Sequence, residues 1–312
     1  MKRREMLSRC SALVSFVSGV LALPAGKSKA SEASGESKIS PGATAQTGRP
    51  KPLIPPTKGT IPVAFVISDG AVIIDFCGPW EVFQDANTLH GDPLFNLYTV
   101  AETTKPVSAR GGMTIVPTYS FQTAPPPKVI VIPAQNGASR AMLDWIRVST
   151  KVSDVTMSVC TGAIVLAKTG LLAGKAATTH HAAYSEFAME FPDISVKRGA
   201  RFVEDGNLAS AGGLSSGIDL ALRVVERYYG RQQAERTADI MEYQGQGWLN
   251  PDTNQAYAKA RVSTEARPVC PVCSMDVDHQ VRSVYKGKTY YFCSQGHKEL
   301  FEKAPDKFTA SR

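Results

Sequence analysis

"DVTMSVCTGAIVLAKT", residues 154–169, joins an apolar run of strand length to a run of small and aliphatic helix formers through a single cysteine, Cys160. The first half, 154–159, is apolar after its leading Asp154 apart from two small hydroxyl residues, as expected of a strand covered on both faces. The second half, 161–169, reads as a helix. A residue on so abrupt a strand-to-helix turn is lifted clear of the sheet, and the turn needs small neighbours, which Ser158 and Gly162 supply. A thiol at the start of a helix also meets the positive end of the dipole and the unpaired amides of Thr161, Gly162 and Ala163, so Cys160 is expected to be drawn toward the thiolate. A buried structural cysteine closing a core strand is the alternative.

Working outward, "IPVAFVI" (61–67), "FNLYTVA" (95–101) and "VIVIP" (129–133) repeat the strand pattern. Helical stretches are predicted over 78–89, 139–148 and 217–229. In the last, Ile218, Ala221, Leu222, Val225 and Tyr228 form an apolar stripe at helical spacing. Strands alternating with helices predict an α/β fold with a mainly parallel sheet, whose ligands bind beyond the carboxyl ends of the strands. Cys160 follows one such end.

The 312 residues, 43% hydrophobic, suffice for one full core and a small second one. Residues 1–30 combine a basic start with an apolar stretch too short for the roughly 18–20 residues of a spanning helix, so they read as an export signal rather than an anchor. The Arg3-Arg4 pair allows a twin-arginine route; a plain basic start is the other reading. These residues carry six Lys and Arg against Glu5, so five of the seven net positive charges sit there. The remainder has no basic patch for nucleic acid. The expected location is the periplasm or the extracellular space, with no stable membrane insertion once the signal is removed. Residues 31–60, rich in Ser, Gly, Pro and Lys, read as a flexible linker.

"SVCTGAIVLAKTGLLAGKAATTHH" (158–181), "DFCGPWEVF" (75–83) and "RFVEDGNLASAGGLSSGIDLAL" (201–222) occur in the order and with the residues that make residues 61–248 resemble the ThiJ/PfpI superfamily of class I glutamine amidotransferase-like proteins. The similarity is greatest to its isonitrile hydratase-like branch and to domains of certain regulators. The resemblance implies a flavodoxin-like three-layer sandwich, usually a homodimer, that acts on a small molecule without a cofactor in this domain. It implies Cys160 as nucleophile, Thr161 as the residue after it, and Asp75, in a D-x-x-G-P loop, as the proton-handling partner. In isonitrile hydratase-like chemistry the thiol attacks the terminal carbon to give a thioimidate, which water releases as a formamide. Capping a helix that begins near Gly78 is the plainer role for Asp75.

Two departures from the family stand out. "PAQNG" (133–137) replaces the usual "PGG", so the backbone amides expected at an oxyanion hole belong to Ala134 and Gln135. Cys77, inside the acidic loop, is a possible redox partner for Cys160. His180 and His181 either reach the pocket or close a strand with ordinary hydrogen bonds.

After a polar connector (249–267), residues 268–312 carry Cys270 and Cys273 as C-x-x-C and Cys293 and His297 as C-x-x-x-H at the start of an amphipathic helix. Two such pairs can close tetrahedrally on one ion of zinc, copper or another heavy metal, which would staple a unit too small to fold on its core alone. Disulfides in an exported protein are the alternative. "CPVCSM", "YKGKTYYFCS" and the Phe301, Pro305, Phe308 ending resemble a YHS or TRASH-type metal-binding domain, with His297 where cysteine is common and Ser274 where glycine is usual. Two functions follow as expectations: a cysteine-nucleophile hydratase or hydrolase with an accessory metal module, or an exported metal- or redox-sensing protein whose α/β domain only binds a ligand.

Overall fold

The computed structural model describes residues 51–309 apart from 260, 262 and 265, so the expected export signal and most of the expected linker lie outside the described residues. The linker's last ten residues do not run free. Leu53 packs on the core, its N–H donates to Arg227 O at 2.7 Å, and Arg227 Nε reaches Lys51 O. An apolar side chain inside a polar run ties that segment down.

Seven strands, β1 (Ile61–Val66), β2 (Phe95–Ala101), β3 (Tyr119–Ser120), β4 (Val129–Ile132), β5 (Val155–Val159), β6 (Phe202–Asp205) and β7 (Leu208–Ala211), form one sheet in the order β6-β7-β5-β4-β1-β2-β3. Every neighbouring pair is parallel except the β6–β7 hairpin. The central strands are apolar throughout because both faces are covered. Val63, Phe65, Val131 and Met157 point into one core, while Ala64, Val66, Ile130 and Ile132 point into the other. Burying each of these side chains other than Ala64 is worth about 1.5–3 kcal/mol. Helices α1 (Ile73–Asp85), α5 (Ser216–Tyr229) and α6 (Arg231–Ile240) cover the first face, and α2 (Arg140–Thr150), α3 (Gly162–Lys168) and α4 (Tyr184–Glu190) the second. This is the expected three-layer sandwich.

One boundary moves. The helix expected from Gly78 begins at Ile73, five residues earlier, and Asp75 lies in its first turn rather than in a preceding loop. Pro79 marks a helix start when read alone, but here it is the seventh residue of α1 and forgoes an i→i−4 hydrogen bond that the packing of the helix outweighs. Asp75 therefore does not cap a helix at Gly78.

The C-terminal unit folds as a hairpin, β8 (Val281–Tyr285) with β9 (Lys288–Phe292), followed by α7 (Gln295–Lys303) and α8 (Pro305–Thr309). Lys286 and Gly287 both take positive φ at the hairpin tip, as a type I′ turn requires. Val272, Phe292, Phe301 and Phe308 form its core, and Ala182 and Met189 of the α/β domain pack against it. Among the described residues no helix is long and apolar enough to cross a membrane.

Candidate active site and metal centre

Strand β5 ends at Val159, α3 begins at Gly162, and between them Cys160 takes φ +58°, a left-handed conformation costing roughly 1–2 kcal/mol for a residue with a Cβ. The surroundings enforce it. The Cys160 N–H donates to Gly212 O at 2.9 Å, and Thr179 Oγ1 donates to Cys160 O at 2.9 Å. Gly162 has no alternative, since a Cβ there would stand 2.2 Å from Ile132 O. The sharp turn read from the sequence is present.

Asp75 reaches the elbow from α1. It is fully buried, and its Oδ2 accepts the Ala134 N–H at 3.1 Å. Oδ1 has no hydrogen-bond partner among the described residues. Burial raises its pKa from 3.8 to about 6, against the pull of the Ala134 amide, the nearby Cys160 side chain and the Arg110 charge. The carboxyl and the thiol are close enough to interact, although no aligned hydrogen bond joins Oδ1 to Sγ.

The expectation for the thiol is overturned. Cys160 is only 7% exposed, and burial together with the Asp75 charge pushes its pKa up from 9.0 to about 11. The amides of Thr161 and Leu214 and the Thr161 hydroxyl pull the other way and lose. A seven-residue helix offers a dipole too weak to offset desolvation and a buried carboxylate. At neutral pH the resting pair is therefore a protonated thiol beside a largely ionised carboxylate. That arrangement suits Asp75 to accept the thiol proton as sulfur attacks and to return it afterwards.

The structure bears on three further readings. The Ala134 amide is bound to Asp75 and is not free to receive an oxyanion; the Gln135 N–H remains unpaired among the described residues. The amides that face the sulfur are those of Thr161 and Leu214. Cys77 follows Asp75 by two positions on α1, which turns its side chain about 200° away from that of Asp75, and both Cys77 and Cys160 are free thiols. A Cys77–Cys160 bridge has no support in this arrangement. His180 packs its ring against Gly213, where a Cβ would be 2.6 Å from Cδ2, and burial lowers its pKa to about 4. His181 stacks on Tyr257 instead of facing the thiol.

Sequence reasoning missed Leu214, Thr179 and Arg110. Leu214 carries φ +38° in the loop after Gly212 and Gly213, and that glycine pair was its only signal. The loop is braced from behind. Buried Asp219 accepts from Arg201 Nε at 2.6 Å, from Tyr243 OH at 3.0 Å and from the Trp248 N–H at 2.9 Å, while Arg201 Nη2 donates to Ser215 Oγ.

In the C-terminal unit, Cys270, Cys273, Cys293 and His297 bring their donor atoms within 4.8 Å of one another. Cys273 Sγ lies 3.5 Å from Cys293 Sγ, and His297 Nδ1 lies 3.7 Å from Cys270 Sγ and 3.0 Å from Cys293 Sγ. Tetrahedral zinc with ordinary bond lengths needs about 3.8 Å between sulfurs and about 3.6 Å from sulfur to nitrogen, so the cluster fits one ion with little movement. All four thiol and imidazole donors point inward, and the three cysteines are free rather than bridged. Ser294 caps α7 by accepting the His297 N–H, which fixes His297 one turn beyond Cys293. Ser274 takes φ +61° just after the C-x-x-C turn, which is why glycine is usual there. Three sulfurs and an imidazole suit zinc or cuprous copper, and a bound ion would supply a cross-link between the knuckle turn and α7. His279 is exposed and takes no part.

Comparison with known proteins agrees with this geometry. The model of the DJ-1/PfpI family matches residues 62–227 and that of the YHS domain residues 269–312. The chain belongs to the DJ-1/PfpI family and carries a YHS domain at its C-terminal end. It is 33% identical over 186 residues to an isonitrile hydratase of Pseudomonas putida, a match that covers 58% of this chain and 78% of that protein. It is 26% identical over 179 residues to the HTH-type transcriptional regulator CdhR of Pseudomonas aeruginosa, covering 56% of this chain and only 53% of the regulator. Among solved structures, a ThiJ/PfpI family protein from Pseudomonas syringae superposes with a TM-score of 0.54 at 26% identity, covering 70% of this chain and 90% of that one. Drosophila melanogaster DJ-1beta superposes at 0.51 with 20% identity, covering 60% of this chain and all of the other, and shares the fold.

Proposed function

We propose that the protein is a cysteine-dependent hydratase of small electrophilic carbon compounds, isonitriles first among them, with the YHS domain as an accessory metal-binding unit. The observation that carries this reading is the placement of Asp75, buried and with one oxygen unpaired, beside a thiol held at φ +58° on the nucleophile turn. The P. putida relative supports the substrate class. In the first step the Cys160 sulfur bonds to the terminal carbon of the isonitrile while its proton passes through Asp75 to that carbon, giving a thioimidate. Water then adds, the carbon–sulfur bond breaks, and the products are an N-substituted formamide and the restored thiol. The amides of Thr161 and Leu214 would stabilise charge developing at sulfur as it leaves.

Residues 1–30 favour export, so we place this chemistry in the periplasm or outside the cell. The direct test is formamide production from small alkyl isonitriles by the intact chain and by Cys160→Ser. The reading requires turnover that the variant loses; equal rates in both proteins would overturn it. A second reading, a non-catalytic ligand-binding domain in a metal- or redox-sensing protein, draws on the burial and raised pKa of Cys160 and on the regulator relatives. It requires that metal loading alter Cys160 alkylation while isonitriles remain untouched.

A further inference from the structure

We infer that the cleft between the α/β domain and the YHS domain is a binding site for a small organic anion with a flat aromatic face. The inference is independent of the reaction assigned to Cys160. The cleft encloses about 230 Å³ and takes its walls from α4, from the polar connector and from the knuckle turn that holds Cys273. This is below the roughly 300–1,000 Å³ of sites for drug-sized ligands, so the occupant is small.

Its charge is one-sided. Arg198, Lys259 and Arg261 line it, and no Asp or Glu does. Among the described residues, Arg198 and Lys259 have no carboxylate partner; only Arg261 is paired, with Asp276. The Arg198 guanidinium rests 5.5 Å above the Tyr184 ring and donates to Ser185 Oγ at 3.3 Å, contacts that orient it without neutralising it. Two uncompensated cations facing one small space favour an anion.

Part of the remaining wall is aromatic. His181 stacks on Tyr257 with ring centroids 4.8 Å apart and an interplanar angle of 26°. Burial and the nearby Arg261 charge lower the His181 pKa, which leaves the ring neutral and apolar at pH 7. His180 packs against the His181 ring as well, with centroids 4.3 Å apart, so the flat surface on offer is that of the half-exposed Tyr257 ring, along which a planar group can lie while its anionic end meets Arg198 and Lys259.

The wall is preformed. The connector that supplies Tyr257 and Lys259 is pinned to the α/β domain by Gln255 Nε2 on Gly199 O and by Asn254 on Arg201 and Ser216. Gly199, at φ +77°, lets Ala258 approach so closely that a Cβ would sit 2.7 Å away.

The test titrates benzoate, its neutral isostere benzamide, and inorganic phosphate into the intact metal-loaded chain, read by calorimetry and by protein-detected NMR. Benzoate is expected to saturate, with benzamide and phosphate each at least about tenfold weaker. Arg198→Gln and Lys259→Gln are each expected to weaken benzoate by about fivefold or more, as loss of a charge-assisted contact does, with unchanged far-UV circular dichroism. Benzamide or phosphate binding as well as benzoate would overturn the inference. So would benzoate affinity unchanged in the double variant, or absence of saturation by any of the three. Alkylation of Cys160 is expected to be the same in these variants, which separates the result from the fate of the catalytic reading.

Discussion

Asp75 Oδ2 accepts the hydrogen bond of the Ala134 amide at 3.1 Å, tying the first turn of α1 to the carboxyl end of β4. That single bond fixes the carboxyl beside the thiol and leaves Oδ1 free. It also removes one amide from the set that could receive an oxyanion, which moves that role toward Thr161 and Leu214 at the elbow itself.

Asp75→Asn separates the two effects of the carboxylate on Cys160. The charge raises the thiol pKa, so its removal is expected to lower that pKa and speed alkylation of residue 160 at pH 8. The thiol should still titrate above an ordinary cysteine, because burial is the larger cause. Hydration of isonitriles is expected to fall by about 10²–10⁴, the usual worth of a positioned proton carrier. Slower alkylation in the variant would show that Asp75 activates the resting thiol, contrary to this account.

The same residue makes stability depend on pH. Its folded pKa, about 6, is above the ordinary 3.8, so between these values the folded chain holds a proton that the unfolded chain releases. The contribution of this group to stability is greatest below pH 4, falls as pH rises through 6, and is then lower by about 3 kcal/mol, from about 1.4 kcal/mol per unit over roughly two units. Asp75→Asn lacks this dependence. Urea unfolding should therefore find the variant and the parent alike near pH 4 and the variant more stable at pH 7. A gap of constant size across that range would sink the assignment.

Much of this was legible in the sequence for definite reasons. The central strands β1, β4 and β5 are covered on both faces, so each reads as an unbroken apolar run. The two Cys/His pairs carry metal-ligand spacing that few other structures demand. Other features depend on what the chain meets far along itself. The protonation of Cys160 is set by burial and by a carboxylate 85 positions earlier, and neither is local. The start of α1 was masked by Pro79, whose local preference is weaker than the packing of Phe76, Val82 and Phe83 in the core. The four-residue β6 and two-residue β3 are too short to show a period.

The metal cluster makes a prediction that a disulfide reading does not share. The isolated protein is expected to hold about one ion per chain, measured by elemental analysis. Cys273→Ser, or a strong chelator, should release it and abolish amide protection in β8, β9 and α7, since binding energy and folding energy are one quantity in so small a unit. The α/β sheet should stay protected. Three free thiols should become available to alkylation on chelation alone, without reductant; a requirement for reductant would identify disulfides instead.

Leu214 offers the sharpest test of the elbow. Its φ of +38° is one that a residue with a Cβ pays to adopt, and its side chain is 42% exposed, so packing gains do not explain its conformation. Leu214→Gly relieves roughly 1–2 kcal/mol of backbone strain and loses about 0.5–1 kcal/mol to the greater freedom of the unfolded chain. The variant is therefore expected to unfold at the same urea concentration as the parent or slightly higher. Its amide, however, faces the Cys160 sulfur, and a looser backbone there holds that N–H less firmly. Thiol pKa, read from the pH profile of alkylation, should rise further, and turnover should fall while stability does not. A variant that lost both together would show the loop to be ordinary structure, and one that lost neither would remove Leu214 from the site.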